Sequence, residues 1–220
     1  MSTGEETDNS EHEPNTTIVD LKLDNCLKLT KISLYSFNGL RDLDFLSVLP
    51  LLQKFIYYGD TTAQDLRTLV TIKSGSLEMV DINGFMSREY SFEGCSKLKD
   101  LSLGPIVSKL NLEGTNLELL LLDRMPTNDL DFLVDCPDLI DFSFLNVDHK
   151  LNLDVSALRH CKKLENLIIS ICSIESTILY ENVISYLTNL RKFVYEGPKV
   201  DMTLIRSCVN LEILTQDLIN

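Results

Sequence analysis

One apolar frame recurs along nearly the whole chain, at intervals of 19 to 26 residues. Each copy consists of a leucine, here called the anchor, and two apolar residues three and five positions after it. The anchors are Leu29, Leu52, Leu77, Leu98, Leu117, Leu139, Leu164, Leu190 and Leu211. Nine copies of three positions give 27 positions, of which 26 are apolar, whereas the overall apolar content of 44% predicts about 12. This repeat constrains the fold of the chain more than any other feature.

A leucine frame repeated every 20 to 29 residues or so predicts a leucine-rich-repeat solenoid. We therefore expect the α/β class, as a curved horseshoe with a parallel sheet on its concave side. The convex side should be irregular, with short helices, 3-10 turns and short strands. The spacing predicts about eight to nine repeats over residues 17–220, because each repeat packs only on its neighbours.

The two ends of the chain depart from the frame. Residues 1–16 are acidic and poor in apolar side chains, which predicts a disordered tail. Residues 17–28 are too short for a full coil, and we interpret them as an edge strand or half-repeat that covers the first coil. At the other end Gln216 breaks the frame, so we expect the last strand to be either frayed or covered by another chain.

The charge balance excludes some classes of partner. The net charge is −13, and the first 20 residues hold six acidic and no basic side chains. Nucleic-acid binding needs a basic face, so we expect no nucleic-acid partner, while a basic protein segment remains compatible. The N-terminus lacks the apolar core of a secretory signal, and no apolar run approaches the roughly 18 residues of a membrane span. We expect an intracellular protein, cytoplasmic or nuclear, without membrane contact.

The cysteines follow the repeat rather than a metal-binding pattern. Five of the six lie three residues before an anchor, namely Cys26, Cys95, Cys136, Cys161 and Cys208. Cysteine is a small apolar residue that often packs inside, and the chain has no C-x-x-C pair. The positions favour buried, reduced thiols over zinc ligands or disulfides.

Two aspartates admit a structural and a chemical interpretation. The segment DLDFL occurs at residues 42–46 and again at 129–133. Asp42 and Asp44 could ligate a metal, but aspartate also caps helix N-termini, and a short helix is expected here. We favour the cap.

No motif for catalysis is evident. His12 lies in the acidic tail. His149 and His160 lie in or beside the segments that lead from one predicted strand to the next, here called return segments, rather than on the predicted strands. The chain has no phosphate-binding glycine motif, no zinc-protease motif and no nucleophile elbow. We therefore expect no enzyme, no cofactor and no metal.

The outward side of the predicted sheet is the candidate site. Residues two, four and six positions after each anchor should point away from the core, because strand side chains alternate. This face combines aspartates, apolar side chains and two tyrosines, as binding faces do. Scattered surface residues combined with a register error remain the alternative. The predicted partner-binding residues are Tyr35, Ile56, Tyr58, Asp81, Asp100, Leu119, Leu121, Asp123, Asp141, Leu145, Ile168 and Val194.

The pattern C-x-x-L-x-x-L-x-L resembles the cysteine-containing leucine-rich repeats found behind F-boxes in ubiquitin-ligase substrate receptors. It is carried by the coils that begin at Cys26, Cys95, Cys136, Cys161 and Cys208. Residues 91–110 are also similar to the repeats of BspA-type surface proteins. Residues 1–17 cannot hold an F-box, so a ligase role would need another chain or a missing segment for that domain, with the catalytic parts on other chains.

Three functional hypotheses follow. The first is a non-catalytic adaptor that binds a protein partner on the concave sheet, preferably a basic and apolar segment. The second is the substrate-recognition subunit of a ubiquitin ligase or a similar assembly. The third, an enzyme or a nucleic-acid binder, would require a clustered catalytic pocket or a basic stripe.

Overall fold

The computed structural model describes residues 20–37, 40, 42–59, 69–85, 87–105, 109–146, 152–171, 177–179, 183–197 and 202–218. The predicted tail, Cys172, His12 and His149 lie outside these ranges. The described strands, numbered along the chain, are β1 Lys31–Tyr35, β2 Lys54–Tyr58, β3 Val70–Thr71, β4 Met79–Asn83, β5 Glu89–Ser91, β6 Asp100–Gly104, β7 Lys109–Asn111, β8 Leu119–Asp123, β9 Asp141–Asn146, β10 Asn152–Asp154, β11 Asn166–Ile171, β12 Thr177–Leu179, β13 Lys192–Gly197 and β14 Ile213–Leu218.

Nine of these strands form one parallel sheet, as the repeat predicts. Their order is β1-β2-β4-β6-β8-β9-β11-β13-β14, so neighbouring strands come from successive coils. The register aligns equivalent positions, and Leu101 lies opposite Val80 on one side and Leu120 on the other. Each coil therefore hydrogen-bonds to the next in the same frame along the whole sheet.

The apolar frame forms the core behind this sheet. The residues three and five positions after each anchor point inward, and Phe55, Leu120 and Phe142 are at most 1% exposed. Burying such a side chain contributes about 1.5–3 kcal/mol, so the repeated frame is the main source of stability. The anchors from Leu52 to Leu190 are also buried, whereas Leu29 and Leu211 in the end coils are half-buried.

The return segments on the other side of the core are short and irregular. They contain the 3-10 helices Asp44–Val48, Asp131–Asp135, Ser156–His160, Ile184–Tyr186 and Met202–Ser207. Two small parallel sheets, β3-β5-β7 and β10-β12, also lie there. Strands β7 and β10, in the similar segments 109–115 and 150–156, are among the short strands expected on the convex side. Within the described residues, no helix has the length and apolarity needed to cross a membrane.

One return segment differs from its prediction. The sequence of residues 178–187 predicts a helical return, but Thr177–Leu179 is the strand β12, and the 3-10 helix begins only at Ile184. Strand β12 pairs in parallel with β10, with Ile178 opposite Leu153. Thr177 and Ile178 are β-branched and suit a strand, so tertiary pairing overrides the weak helical pattern.

The segment before β1 is a partial cover of the first coil. Residues 20–30 contain turns but no strand, so the edge-strand alternative is wrong over this range. Leu21 and Leu23 are partly buried and pack against the core. This arrangement is closer to the predicted half-repeat.

Aspartate side chains recur at the start of the 3-10 helices. Asp42 Oδ1 accepts a hydrogen bond from the N–H of Asp44 at 3.2 Å, at the beginning of Asp44–Val48. Asp129 and Asp154 do the same for the helices that begin at Asp131 and Ser156, at 3.4 and 2.8 Å. These bonds are turns one residue ahead of each helix, because the N-cap positions are Leu43, Leu130 and Val155 and have no side-chain cap bond, so the predicted N-cap role of the aspartate is wrong in position.

Side chains also connect successive coils through backbone carbonyls. The thiol of Cys95 donates to the carbonyl of Ile72 in the preceding coil at 3.2 Å. Asn189 and Asn210, each directly before an anchor, donate through Nδ2 to the carbonyls of Lys162 and Thr188 at 2.8 and 2.9 Å. These bonds satisfy carbonyls at the turns, where the sheet does not reach them.

Candidate functional site

The candidate site is the open face of the nine-stranded sheet, defined as the side away from the core. All twelve residues singled out from the sequence lie on this sheet. Tyr35 and Tyr58 are exposed, and the other ten are half-buried. Their neighbours point the other way, and Leu120 and Leu122, which flank Leu121, are fully buried. The strand register thus places the predicted residues on a single surface.

An aromatic pair forms the end of this face at β1 and β2. The rings of Tyr35 and Tyr58 stack with centroids 5.5 Å apart. The hydroxyl of Tyr58 donates to Oδ2 of Asp81 on β4 at 2.6 Å. This hydrogen bond to a carboxylate, together with burial, raises the pKa of Tyr58 to about 12. Asp81 and the two rings therefore form one connected group.

Asp100 on β6 is the least satisfied carboxylate of the face. Asp100 is half-buried, and its carboxylate has no hydrogen bond or ion pair within the part of the chain that the structure describes. Burial raises its pKa, the charge of Asp81 raises it further, and Lys54 acts in the opposite direction. A positive group placed beside Asp100 and Asp81 would offset the cost of desolvation and the repulsion between the two carboxylates.

The other two aspartates of the predicted acidic centre have partners. Asp123 lies 3.1 Å from Nε of Arg124, and Asp141 accepts a hydrogen bond from Nδ2 of Asn166. The four carboxylates are therefore not equivalent, and among the described residues Asp100 is the one whose carboxylate has no side-chain partner.

An apolar row crosses the sheet next to the acidic centre. The register places Leu121, Ser143, Ile168 and Val194 side by side on β8, β9, β11 and β13. All four are half-buried, and three are apolar. Leu119 and Leu145 widen the apolar surface around Leu121. Adjacent strands lie about 4.8 Å apart, so the row from Leu121 to Val194 is roughly 14 Å long.

The structure adds residues that were not singled out from the sequence. Lys54 and Met79 are two of them, and Met79 lies between Lys54 and the predicted residue Asp100 on consecutive strands. Asn166 belongs to the site because it binds Asp141. Their positions two residues after an anchor were readable from the repeat, but side-chain pairing across strands was not.

A separate depression lies outside the open face. It has a volume of about 660 Å3 and is lined by serines, glycines and charged residues at the turns that lead into β2 and β4. Ser74 accepts the N–H of Ser76, and the hydroxyl of Ser76 donates to the carbonyl of Leu52 at 2.8 Å. These serines are occupied in shaping the turn and do not point to a ligand.

The five thiols that the structure describes show no sign of a reactive site. Cys95, Cys136, Cys161 and Cys208 are buried and free, whereas Cys26 is exposed. Burial raises the pKa of Cys136 and of Cys161 to about 12, so both remain protonated at neutral pH. Among the described residues, no group of three or more His, Cys, Asp or Glu side chains is placed to hold a metal ion.

Comparisons with known proteins support the fold. No protein-family model and no curated protein matches the chain. Among solved structures, an internalin (inlF) from Listeria monocytogenes is similar, with a TM-score of 0.54 and 17% sequence identity over 90% of this chain. The match covers 63% of the internalin, so the chain spans less than two thirds of that protein. At this identity the likeness concerns the fold alone, and together with the nine-stranded parallel sheet it shows that the chain is a leucine-rich-repeat solenoid.

Proposed function

We propose that this chain is a non-catalytic protein-interaction module that binds a protein segment on its open face. The observation that carries the proposal is an apolar row from Leu121 to Val194, beside which Asp100 lies opposite Leu119 with a carboxylate that has no side-chain partner among the described residues. Apolar side chains bordered by charge are typical of interaction surfaces, where burial supplies affinity and charge supplies specificity.

The charge of the face indicates the chemistry of the partner. Asp81 and Asp100 lie on adjacent strands, and Lys54 is the basic side chain that acts on Asp100. The chain as a whole carries a net charge of −13. A segment that carries Lys or Arg beside apolar side chains complements both parts of the face.

The test compares the open face with the back of the solenoid. Leu121→Asp introduces a charge into the apolar row, and Val134→Asp does the same at a back-side residue that is 50% exposed. Affinity purification of the tagged full chain and both variants, with circular dichroism to verify folding, should show a partner lost only with Leu121→Asp. An interface anchor of this kind is worth about 1 kcal/mol or more. Equal recovery with all three proteins would place the interaction elsewhere.

The finer assignments remain predictions. A role as the recognition subunit of a ubiquitin ligase rests on the resemblance of the cysteine-containing repeats, and co-purification with ligase subunits would support it. Three further assignments are predictions as well: the similarity to BspA-type repeats, the intracellular location, and the division into a tail at 1–16 and a repeat domain at 17–220.

A further inference from the structure

Asp81 and the apolar row lie along one line that crosses the strands and passes Ser102 on β6, and Asp100 lies two residues before Ser102, beside this line. Asp81 and Asp100 lie on β4 and β6, and the next strands in the sheet are β8, β9, β11 and β13. On these four strands the row presents an apolar, a polar, an apolar and an apolar side chain, namely Leu121, Ser143, Ile168 and Val194. A partner that follows this line therefore meets chemically distinct positions in a fixed order.

Beyond Leu121, on β11 and β13, the apolar row is only one side chain wide. On β11, Ile168 lies between Asn166 and Ser170, and on β13, Val194 lies between Lys192 and Glu196. An amphipathic helix presents an apolar stripe at least about 100° wide and would press its flanks onto these polar residues. An extended chain, whose alternate side chains point to one side, fits a row that is one side chain wide.

The spacing of the strands fixes the spacing of the side chains that reach them. Measured across the strands at about 4.8 Å per strand, a positive group between Asp81 and Asp100 lies about 7 Å from Leu121, 12 Å from Ser143 and 17–22 Å from Ile168 and Val194. In an extended chain, side chains on one side recur about every 6.6–6.8 Å. Positions i, i+2, i+4 and i+6 therefore fall on the acidic centre, Leu121, Ser143 and the Ile168–Val194 pair.

We infer that the partner is an extended segment that crosses the strands, with Lys or Arg at position i, apolar residues at i+2 and i+6, and a small or polar residue at i+4. The positions are counted in either chain direction. This inference rests on the proposed function and specifies the class of ligand. The cation contacts Asp100 and Asp81, and the adjacent ring of Tyr58 adds a favourable aromatic surface for it.

The experiment is a selection of random twelve-residue peptides on phage against the immobilised full chain. The expected result is enrichment of peptides with Lys or Arg two positions from one apolar residue and six from another. An enriched peptide is then synthesised, and its binding is measured by fluorescence anisotropy. Asp100→Asn should weaken binding about tenfold, as expected for the loss of a hydrogen bond between charged groups. Added salt should also weaken it.

The control variants separate this inference from the proposed function. Asp135→Asn, at an exposed residue of the back side, should leave binding unchanged. Peptides that respond to Leu121→Asp but not to Asp100→Asn, or that lack a basic residue, would overturn the inference and leave the binding face intact. Spacings of about four and eleven residues between the basic residue and the apolar residues would indicate a helical partner and would also overturn the inference.

A selection that enriches no peptide would count against the inference and the proposed function together. The same holds for peptides whose binding changes with neither Leu121→Asp nor Asp100→Asn. If Leu121→Asp unfolds the protein, Leu121→Ser replaces it.

Discussion

Neighbouring leucines on β8 have opposite roles, because successive strand side chains point to opposite faces. Leu120 is fully buried, whereas Leu121 is half-buried on the open face. Leu120→Ala should therefore lower the free energy of unfolding by about 2–5 kcal/mol, as core truncations do. Leu121→Ala should cost about 1 kcal/mol or less. Urea denaturation of the two variants makes the comparison, and a larger loss for Leu121→Ala would mean that the register of the face is wrong.

Asp100 should destabilise the folded chain at neutral pH. Burial and the charge of Asp81 raise its pKa, so the folded state holds this proton more tightly than the unfolded state. Stability therefore falls as pH rises through the raised pKa. Asp100→Asn removes the charge and should raise the free energy of unfolding at pH 7 by about 0.2–1 kcal/mol, the usual range for cross-strand pairs.

The gain from Asp100→Asn should vanish below the ordinary pKa of aspartate, where the carboxyl is neutral in both states. Unfolding curves of wild type and variant at pH 7 and near pH 3.5 test this dependence. A gain of equal size at both pH values would indicate a packing effect instead of relief of charge.

At the scale of elements, the coils are connected by side chains as well as by the sheet. Nδ2 of Asn189 donates to the carbonyl of Lys162 in the preceding coil. Asn189→Ala should lower the free energy of unfolding by about 0.5–1.5 kcal/mol, the net contribution of one such hydrogen bond. Thr188→Ala is the matched control, because that exposed residue gives its backbone carbonyl to Asn210 and keeps it in the variant. Equal losses in thermal or urea unfolding would contradict the connecting role of Asn189.

The sequence predicts the strands of the nine-stranded sheet far better than the return segments. Each strand of the nine-stranded sheet from β2 to β13 contains two core residues at fixed distances from its anchor, and a shift by one residue would expose both. The return at 177–179 has no such constraint, since its pairing with β10 depends on the neighbouring coil. The membership of the open face follows from alternation alone. The bond from Tyr58 to Asp81 and the lack of a partner at Asp100 do not, because they depend on rotamers and on strand spacing.

Across the whole molecule, the rate at which each thiol reacts measures whether its coil stays folded. Cys95, Cys136, Cys161 and Cys208 are buried in four different coils, whereas Cys26 is exposed before the first strand. A maleimide reagent should modify Cys26 rapidly in the native protein and the four buried thiols only on unfolding, because the thiolate is the reactive form and burial disfavours it. Peptide mapping by mass spectrometry after graded exposure to urea measures each site. Rapid native labelling of Cys136 or Cys161 would show that these coils open independently.

The described solenoid is not equally covered at its two ends. Leu214 on β14 occupies the position three residues after its anchor, where Leu120 and Phe193 are buried, yet it is 47% exposed. Val209 and Ile213 beside it are 84% and 50% exposed. Because a repeat is stabilised by its neighbours, Leu214→Ala should cost less than about 1 kcal/mol, against about 2–5 kcal/mol for Leu120→Ala.

Unfolding of the Leu214→Ala variant at several protein concentrations tests whether another chain covers this edge. A copy bound there would stabilise the folded state by mass action, so the midpoint would rise with concentration in wild type and less so in the variant. A cost near that of Leu120→Ala, together with such a concentration dependence, would show that Leu214 is buried in solution by a second copy. A small, concentration-independent cost would show that the edge of β14 is open in the isolated chain.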